Sequence, residues 1–155
     1  MKIGKYDFQY IETIDPVEEN GVIISYQPQS RYKNRKKLEI HEHGNGEFCR
    51  FKLQKANEVS GVYAWVIQGE TAPIYIGEAV NFKKRFNMGY GVVSPRNCFN
   101  GGQKTNCKMN KVVLEKYRNG QKIDIYFFET KDYKAVEAEL LLSIKTEYNV
   151  KNNKR

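Results

Sequence analysis

The chain is poor in cysteine and contains no long apolar run. Its three cysteines are a small and odd number, which implies no disulfide framework and predicts a reducing compartment. No apolar stretch approaches the roughly 18 residues that cross a bilayer, and the first ten residues lack the apolar segment of a signal peptide. These absences predict a cytoplasmic protein with no membrane partner.

Positive charge exceeds negative charge along the chain. There are 26 Lys and Arg against 18 Asp and Glu, which gives a formal net charge of +8. Such a balance favours polyanionic partners, and the aromatic content of 13% suits stacking on bases as well as ordinary cores. Nucleic acid is the expected partner, although a ribosomal or membrane-surface protein would carry similar charge.

At 155 residues the chain is long enough for one domain with a core of its own. We predict a β-rich basic extension over residues 1–57, packed on a core over residues 58–155. Five cations lie close together in the extension: Arg31, Lys33, Arg35, Lys36 and Lys37. Unpaired cations are too costly to bury, so this run forms either a solvated loop or an arm that contacts phosphates. We favour the arm and predict that it binds DNA.

The segment from Gly61 to Arg85 organises the rest of the chain. Two short apolar runs, GVYAWVI and IYIG, flank a turn-like QGETAP and precede a basic segment, which predicts two paired strands followed by a helix. Because side chains alternate along a strand, Tyr63 shares a face with Trp65. If the aliphatic side chains face the core, Tyr63 and Tyr75 both point toward the opposite surface.

These residues resemble the signature of the GIY-YIG nuclease superfamily, which includes the amino-terminal nuclease of the repair protein UvrC, homing endonucleases and some restriction enzymes. The resemblance covers roughly residues 61–149 and rests on two tripeptides and a following arginine: Gly61, Val62, Tyr63, Tyr75, Ile76, Gly77 and Arg85. With the order of the predicted segments, it implies an α+β fold (an α/β sandwich) in which a small central antiparallel sheet of three strands is flanked by helices.

The sequence departs from relatives after the second tripeptide. Glu78 replaces the lysine of UvrC-like members, and Gly89 stands four residues after Arg85 where the family often has Tyr or His. Either Tyr90 takes that role through a shifted turn, or another residue fills it. We predict a first helix over about residues 79–86, in which Lys84 points outward toward DNA.

A glycine-rich loop over residues 88–103 precedes the next helix. Arg96 and Asn97 in this loop could reach DNA. Thr105 is a suitable cap for the helix, and the lead-in GGQKTN resembles an element of restriction-type members. Asn106, beside the cap, either contacts substrate or plays a local capping role. Tyr90, Asn106 and Gly77 are thus predicted to support the site.

The last helix, predicted over about residues 132–147, carries two candidate acids. At about 100° per residue, Glu137 falls inside the arc formed by Val136, Leu140 and Leu141, whereas Glu139 falls on the solvent side. A carboxylate on a buried arc needs a cation or donors, so Glu137 is the candidate metal ligand. The resemblance agrees, because family members place a Glu twelve residues before an Asn, here Asn149.

The resemblance implies a DNA endonuclease that hydrolyses phosphodiester bonds with a water nucleophile. Tyr63, helped by Tyr75, would be the general base, Arg85 would contact the scissile phosphate, and Glu137 would hold one Mg²⁺ or Mn²⁺ ion. Asn149 would hydrogen-bond to the site's backbone or to phosphate. A covalent tyrosine intermediate is the mechanistic alternative.

The biological role is open among several readings. A stand-alone restriction-like or mobile-element enzyme is favoured over a repair or single-strand-specific nuclease, and a non-catalytic nucleic-acid-binding module with the same fold is a further alternative. No obligatory protein partner is evident in the sequence, whereas a homodimer would be needed to cut both strands of a duplex at once.

Overall fold

The computed structural model describes residues 1–149 and has the predicted α+β fold. The chain forms two compact units, each of which includes residues from both sides of position 57. The first unit comprises Met1–Ile14, Leu53–Arg85 and the described part of Gln121–Arg155. The second unit comprises Asp15–Lys52 and Phe86–Gly120.

Ten strands and three α-helices make up the two units within the described residues. The strands are β1 Lys2–Ile3, β2 Tyr6–Asp7, β3 Gln9–Thr13, β4 Glu18–Glu19, β5 Val22–Ile23, β6 Ser25–Tyr26, β7 Phe48–Cys49, β8 Gly61–Ile67, β9 Pro73–Ala79 and β10 Ile123–Glu129. The helices are α1 Phe82–Arg85, α2 Lys104–Arg118 and α3 Tyr133–Ser143. Within residues 1–149, no helix is long and apolar enough to cross a membrane.

The central sheet of the first unit has four antiparallel strands in the order β3-β10-β8-β9. The predicted number of three was therefore too low. The additional strand is β3, which pairs with β10 through a register that includes Thr13 and Asp124, and the Thr13 hydroxyl donates a hydrogen bond to the Asp124 carboxylate at 2.6 Å. A segment assigned to the extension thus completes one edge of the sheet.

The core of the first unit lies between this sheet and α3. One sheet face supplies Val62, Ala64, Val66 and Ile76, as the alternation in GVYAWVI predicted. The helix contributes Val136, Leu140 and Leu141 to the same cluster. Burial of these aliphatic side chains fixes which side of α3 faces the sheet.

Two helices of the first unit differ in extent from the prediction. The segment expected to begin the first helix at residue 79 continues instead as β9, and α1 starts only at Phe82. The last helix ends at Ser143, because Ile144 adopts extended dihedral angles (φ −118°, ψ 122°). The chain after Ser143 therefore runs back to β9, where the Tyr148 N–H donates to the Ile74 carbonyl at 3.0 Å.

The second unit combines short hairpins with α2. Asn20 and Gly21 both have positive φ (54° and 78°) and join β4 to β5, as expected for an Asn-Gly turn. Strand β6 pairs with β7. Helix α2 begins one residue before the predicted cap, so that Gln103 rather than Thr105 precedes it, and it ends at Arg118 with Asn119 as its C-cap.

A buried asparagine on α2 anchors the second unit. The Asn110 side chain is fully buried, and its Oδ1 accepts a hydrogen bond from the Cys49 N–H at 2.9 Å. Its Nδ2 donates to the carbonyls of Cys49 (2.9 Å) and Tyr90 (2.8 Å). One side chain therefore ties α2 both to β7 and to the segment that carries Tyr90.

Candidate active site

The two signature tripeptides lie side by side on neighbouring strands. In the β8–β9 ladder, Tyr63 is directly opposite Gly77 and Trp65 is opposite Tyr75. Residues that face each other across a ladder share one side of the sheet, so Tyr63 and Tyr75 point the same way, as the alternation predicted. The Trp65 and Tyr75 rings meet edge to face at 6.0 Å.

Gly77 makes room for the phenol of Tyr63. A Cβ atom built on Gly77 would lie 2.5 Å from the Tyr63 Oη and 2.6 Å from its Cζ, well inside van der Waals contact. Any side chain at this position would displace the ring or the strand. Glycine is therefore required in the second tripeptide by the position of the tyrosine in the first.

Gly61 has a similar role at the start of β8. A Cβ atom there would lie 2.5 Å from the Phe127 ring and would also collide with the Phe128 carbonyl oxygen. Phe127 is the residue opposite Tyr63 in the β8–β10 ladder. The absence of a side chain at Gly61 thus lets the ring beside Tyr63 occupy its place.

Three aromatic rings enclose the base of the site. Phe82, the first residue of α1, is stacked against Tyr63 with ring centroids 6.3 Å apart and against Phe127 at 4.0 Å. Tyr63 points toward the predicted face of the sheet but is only 1% exposed, because these rings cover it. Tyr75, by contrast, is half-buried. Phe82 covers Tyr63 because α1 begins on this side of the sheet.

Helix α1 is fixed at its start by backbone and side-chain hydrogen bonds. The Asn81 Oδ1 accepts from the Lys84 N–H at 3.0 Å, which is the geometry of an N-cap. The N–H groups of Phe82 and Lys83 donate to the carbonyls of Val59 (2.8 Å) and Asn57 (3.1 Å), which lie in the segment before β8. Within this short helix Lys84 is exposed, as predicted, and Arg85 is half-buried. Helix α1 packs against β9.

The two acids of α3 lie in different environments. Glu137 is half-buried and follows Val136, a core residue that packs with Ile76 of β9. Glu139 is on the outside, where it accepts a hydrogen bond from the Tyr6 hydroxyl at 2.7 Å and lies 3.6 Å from Lys5 Nζ. This bond raises the pKa of Tyr6. Glu139 thus has surface partners, whereas Glu137 is half-buried next to a core residue of α3.

The Asn149 side chain is hydrogen-bonded to the strand that carries the second tripeptide. Its Oδ1 accepts from the Ile76 N–H at 2.7 Å, and its Nδ2 donates to the Ile76 carbonyl at 2.8 Å. Thr146 supports the amide through a 2.6 Å bond between its Oγ1 and the Asn149 Oδ1. Asn149 was predicted to bond either to the backbone of the site or to phosphate. In the structure it bonds to the backbone of Ile76, between Tyr75 and Gly77.

Tyr90 lies in a widened turn of the second unit. Residues Phe86–Tyr90 form a π-helical turn in which the Gly91 N–H donates to the Phe86 carbonyl at 2.7 Å. Such a turn accommodates one residue more than an α-helical turn. The Tyr90 ring is buried and meets Phe86 edge to face at 5.1 Å, while Asn110 holds its carbonyl. The anchoring role of Asn110 was not predicted, although an asparagine between the apolar residues Met109 and Val112 of α2 was a signal that the sequence offered.

The predicted basic arm is an ordered loop with its cations outward. Arg31, Lys33, Arg35, Lys36 and Lys37 are all exposed. The Asn34 side chain closes the loop through bonds to the Leu38 carbonyl (2.6 Å) and N–H (2.7 Å), and the Tyr32 ring packs on Phe99 at 4.7 Å. Across residues 1–149, none of the five cations has a carboxylate within 4.0 Å.

The other predicted site residues of the second unit form hydrogen bonds with residues close to them in the sequence. The Arg96 guanidinium donates to the carbonyls of Phe99 (3.3 Å) and Asn100 (3.1 Å). The Asn97 Oδ1 accepts from the Ser94 N–H at 3.1 Å. Asn106 is 3% exposed, and its Nδ2 donates to Gln103 Oε1 at 3.1 Å beside the start of α2. Contacts of Arg96 and Asn97 with DNA stay predictions.

The donor set suits a hard cation held mainly by substrate and water. Across residues 1–149, no group of three or more His, Cys, Asp or Glu side chains could hold a metal ion. Mg²⁺ commonly binds through one or two carboxylates together with waters and substrate phosphates, so it needs no such group. The half-buried carboxylate of Glu137 fits this mode of binding.

Neither a family model nor a curated protein nor a solved structure matches the chain. The resemblance to GIY-YIG nucleases therefore rests on the residues quoted above. The structure adds a physical reason for two of them, since Gly61 and Gly77 each clear the space that an aromatic side chain occupies.

Proposed function

We propose that this protein is a metal-dependent DNA endonuclease of the GIY-YIG type. The observation that carries the proposal is the arrangement around β9, where the Tyr63 phenol lies against Gly77 and Asn149 holds the intervening Ile76 backbone. Helices α1 and α3, which carry Arg85 and Glu137, both pack against this same strand. The residue types that the chemistry requires thus belong to elements that meet at β9.

Each residue of the proposed site would perform one task in phosphodiester hydrolysis. Tyr63, with help from Tyr75, takes the proton of the attacking water. The phenolate is the form that can accept this proton, and a phenol with its ordinary pKa near 10 is almost entirely protonated at neutral pH. A nearby cation would lower the pKa and so increase the fraction of phenolate. Arg85 neutralises charge that develops on the phosphate oxygens.

Glu137 and Asn149 complete the site. Glu137 would hold one Mg²⁺ or Mn²⁺ ion, which when bound stabilises charge on the phosphate and on the departing 3′ oxygen. Asn149 acts as a positioning residue because it bonds to the backbone of β9 rather than to a reacting atom.

The five exposed cations of the basic loop would contact DNA phosphates, with Lys84 on α1 as a further contact. We expect a cytoplasmic, restriction-like or mobile-element enzyme that needs no protein partner to cut one strand. A repair role and a non-catalytic binding module are the alternatives.

The test uses circular single-stranded and double-stranded DNA incubated with the protein and Mg²⁺. Nicking that EDTA abolishes, with free 3′-hydroxyl ends, is the expected result. A protein-linked end would exclude the water nucleophile, and tight binding without any cleavage would identify a binding module instead.

A further inference from the structure

The two histidines of the chain lie close together in the second unit and have different environments. The His41 ring is buried, and its Nδ1 accepts a hydrogen bond from the His43 N–H at 3.0 Å. Its Nε2 is hydrogen-bonded to the Asn97 carbonyl. A carbonyl can only accept, so Nε2 carries the proton. Both nitrogens of His41 are thus engaged, and this ring fixes the backbone at His43.

The His43 ring, by contrast, is available to a ligand. Its side chain is 33% exposed, and Glu42 supplies the one carboxylate within 4.0 Å among the described residues, at 3.7 Å from Nε2. That distance is too long for a hydrogen bond. In the part of the chain that the structure describes, the ring nitrogens of His43 form no hydrogen bond. A partly covered imidazole therefore has two unused polar atoms.

Two lysines of α2 act on this imidazole. Lys108 and Lys111 are three residues apart, which places them on one side of the helix, and both are half-buried. Burial lowers the pKa of His43 from its ordinary 6.5, and Lys108, His41 and Lys111 lower it further, while Glu42 opposes them. The surroundings of the ring are therefore positive and resist its protonation.

Lys111 is held beside the loop of His43 without an acidic partner. Its Nζ lies 5.3 Å from the centroid of the Phe48 ring, and a Cβ atom built on Gly46 would be 3.6 Å from it. Over residues 1–149, no carboxylate lies within 4.0 Å of this ammonium group. Cations that are partly removed from water are costly without an opposite charge. A bound anion would offset that cost.

The same loop is joined to the start of the basic loop. The Gly46 carbonyl accepts a hydrogen bond from Gln29 Nε2 at 3.1 Å. Gln29 belongs to the short 3₁₀ turn Pro28–Arg31, whose last residue is the first cation of the basic loop. The positive surroundings of His43 therefore extend a cationic surface of the same unit.

We infer that His43, Lys108 and Lys111 form a binding site for one phosphate of DNA, and that His43 binds it in the protonated form. The inference rests on the proposed nuclease function only in taking DNA as the source of the phosphate. Ammonium and imidazolium groups donate charge-assisted hydrogen bonds to phosphate oxygens. The phosphate would in turn favour the charged imidazole, so binding takes up a proton.

The sign of the pH dependence follows from this proton uptake. Affinity is greatest below the pKa of the free imidazole and declines as the pH rises through the higher pKa of the complex. We expect DNA to raise the midpoint of His43 by about 1 pH unit, which corresponds to a roughly tenfold loss of affinity between about pH 5 and pH 8.

The test follows the histidine ring resonances of the full chain by NMR in EDTA at constant ionic strength. The chain is titrated from about pH 5 to pH 8 with and without a short DNA duplex, and affinities are measured over the same range. His43→Gln identifies the resonance and should abolish most of the tenfold pH dependence. A midpoint that DNA does not move, in the unmodified protein, would overturn the inference.

A pair of lysine variants locates the phosphate. Lys111→Met keeps the hydrocarbon stem but removes the charge, and should make the decline of log affinity with log salt shallower by about 0.7–0.9. Lys116→Met is the matched control, because Lys116 lies roughly 140° around α2 from Lys111 at about 100° per residue, and it should leave the decline unchanged. Equal effects of the two variants would contradict a site at Lys111.

Inorganic phosphate distinguishes the source of the ligand. At about pH 6, where part of His43 is protonated, the duplex should shift the His43 resonance more than inorganic phosphate at the same concentration of phosphate groups. A shift with inorganic phosphate and none with the duplex would assign the site to a small phosphate compound and refute the DNA contact.

The outcomes also separate this inference from the nuclease proposal. If proton uptake at His43 accompanies DNA binding in EDTA but no DNA is cut with Mg²⁺, the phosphate site stands and the enzyme does not. If the protein cuts DNA and His43→Gln keeps the pH dependence of binding, the enzyme stands and the phosphate site fails.

Discussion

Asn149 binds both backbone polar groups of Ile76, at 2.7 Å to the N–H and 2.8 Å to the carbonyl, although the two residues are 73 positions apart. This pair of bonds fixes the end of the described chain to β9 between Tyr75 and Gly77. It occupies the edge of the sheet where no fifth strand pairs with β9 within the described residues.

Asn149→Ala should lower the free energy of unfolding by roughly 1–3 kcal/mol, because two backbone groups lose their partner. Urea denaturation measures this change. Asn149→Asp keeps the acceptor but loses the donor and should fall between Ala and wild type. Because Asn149 positions the strand, the turnover number for DNA cleavage should also fall. An unchanged unfolding midpoint in Asn149→Ala would contradict this role.

Gly77→Ala tests the fit between the two tripeptides. The added methyl group would lie 2.5 Å from the Tyr63 Oη, and overpacking of this kind costs about 1–3 kcal/mol. We expect reduced stability together with loss of cleavage, since the phenol must move.

Tyr63→Phe is the comparison for Gly77→Ala, because it removes the oxygen but retains the ring. It should slow cleavage by roughly 10²–10⁴-fold, the range for loss of a general base, with a small effect on stability. If Tyr63→Phe cuts DNA at the wild-type rate, the general base is another group.

Glu137→Gln and Glu139→Gln form a matched pair two residues apart on α3. Glu137→Gln should abolish Mg²⁺-dependent cleavage while DNA binding is retained or strengthened, because an anion near phosphate is removed. Glu139→Gln should cleave normally, since that side chain bonds to Tyr6 and Lys5 at the surface. Rates from single-turnover cleavage and affinities in EDTA decide the outcome. The reverse pattern would refute the assignment of the metal ligand.

Periodicity predicted the parts of the site that depend on one element. The alternation in GVYAWVI assigned Val62, Ala64 and Val66 to the core face, and helical phase separated Glu137 from Glu139. Both inferences work because side-chain direction is a local property of a strand or helix.

The features that sequence missed depend on long-range pairing. Thr13 and Asp124 are 111 residues apart, and nothing in the apolar pattern of β3 shows that its partner is β10. The burial of Tyr63 arises from Phe82, whose ring covers it only once α1 is in place. The early end of α3 was also missed, because Ile144 and Tyr148 continue the helical spacing of apolar positions although the backbone is already extended at Ile144.

The buried thiols predict a loss of stability at alkaline pH. Burial raises the pKa of Cys49 and of Cys107 from the ordinary 9.0 to about 12. The unfolded thiols ionise near pH 9 while the folded ones keep their protons, so stability present below pH 9 should decline between pH 9 and 12. Cys107→Ala should flatten the decline in urea midpoints over that range. A decline as steep as that of wild type would show that Cys107 does not contribute to it.

Salt dependence tests the basic loop. The logarithm of DNA affinity falls with the logarithm of salt concentration. Replacing Lys33, Arg35 and Lys36 with glutamine should make this negative slope shallower by about 0.7–0.9 for each phosphate that the loop no longer neutralises. Lys37 is left unchanged because its φ of 53° tolerates few replacements. The control replaces Lys2, Lys122 and Lys134, three exposed lysines of the first unit, and so removes the same charge. If the control lowers the slope as much, net charge rather than this loop accounts for DNA binding.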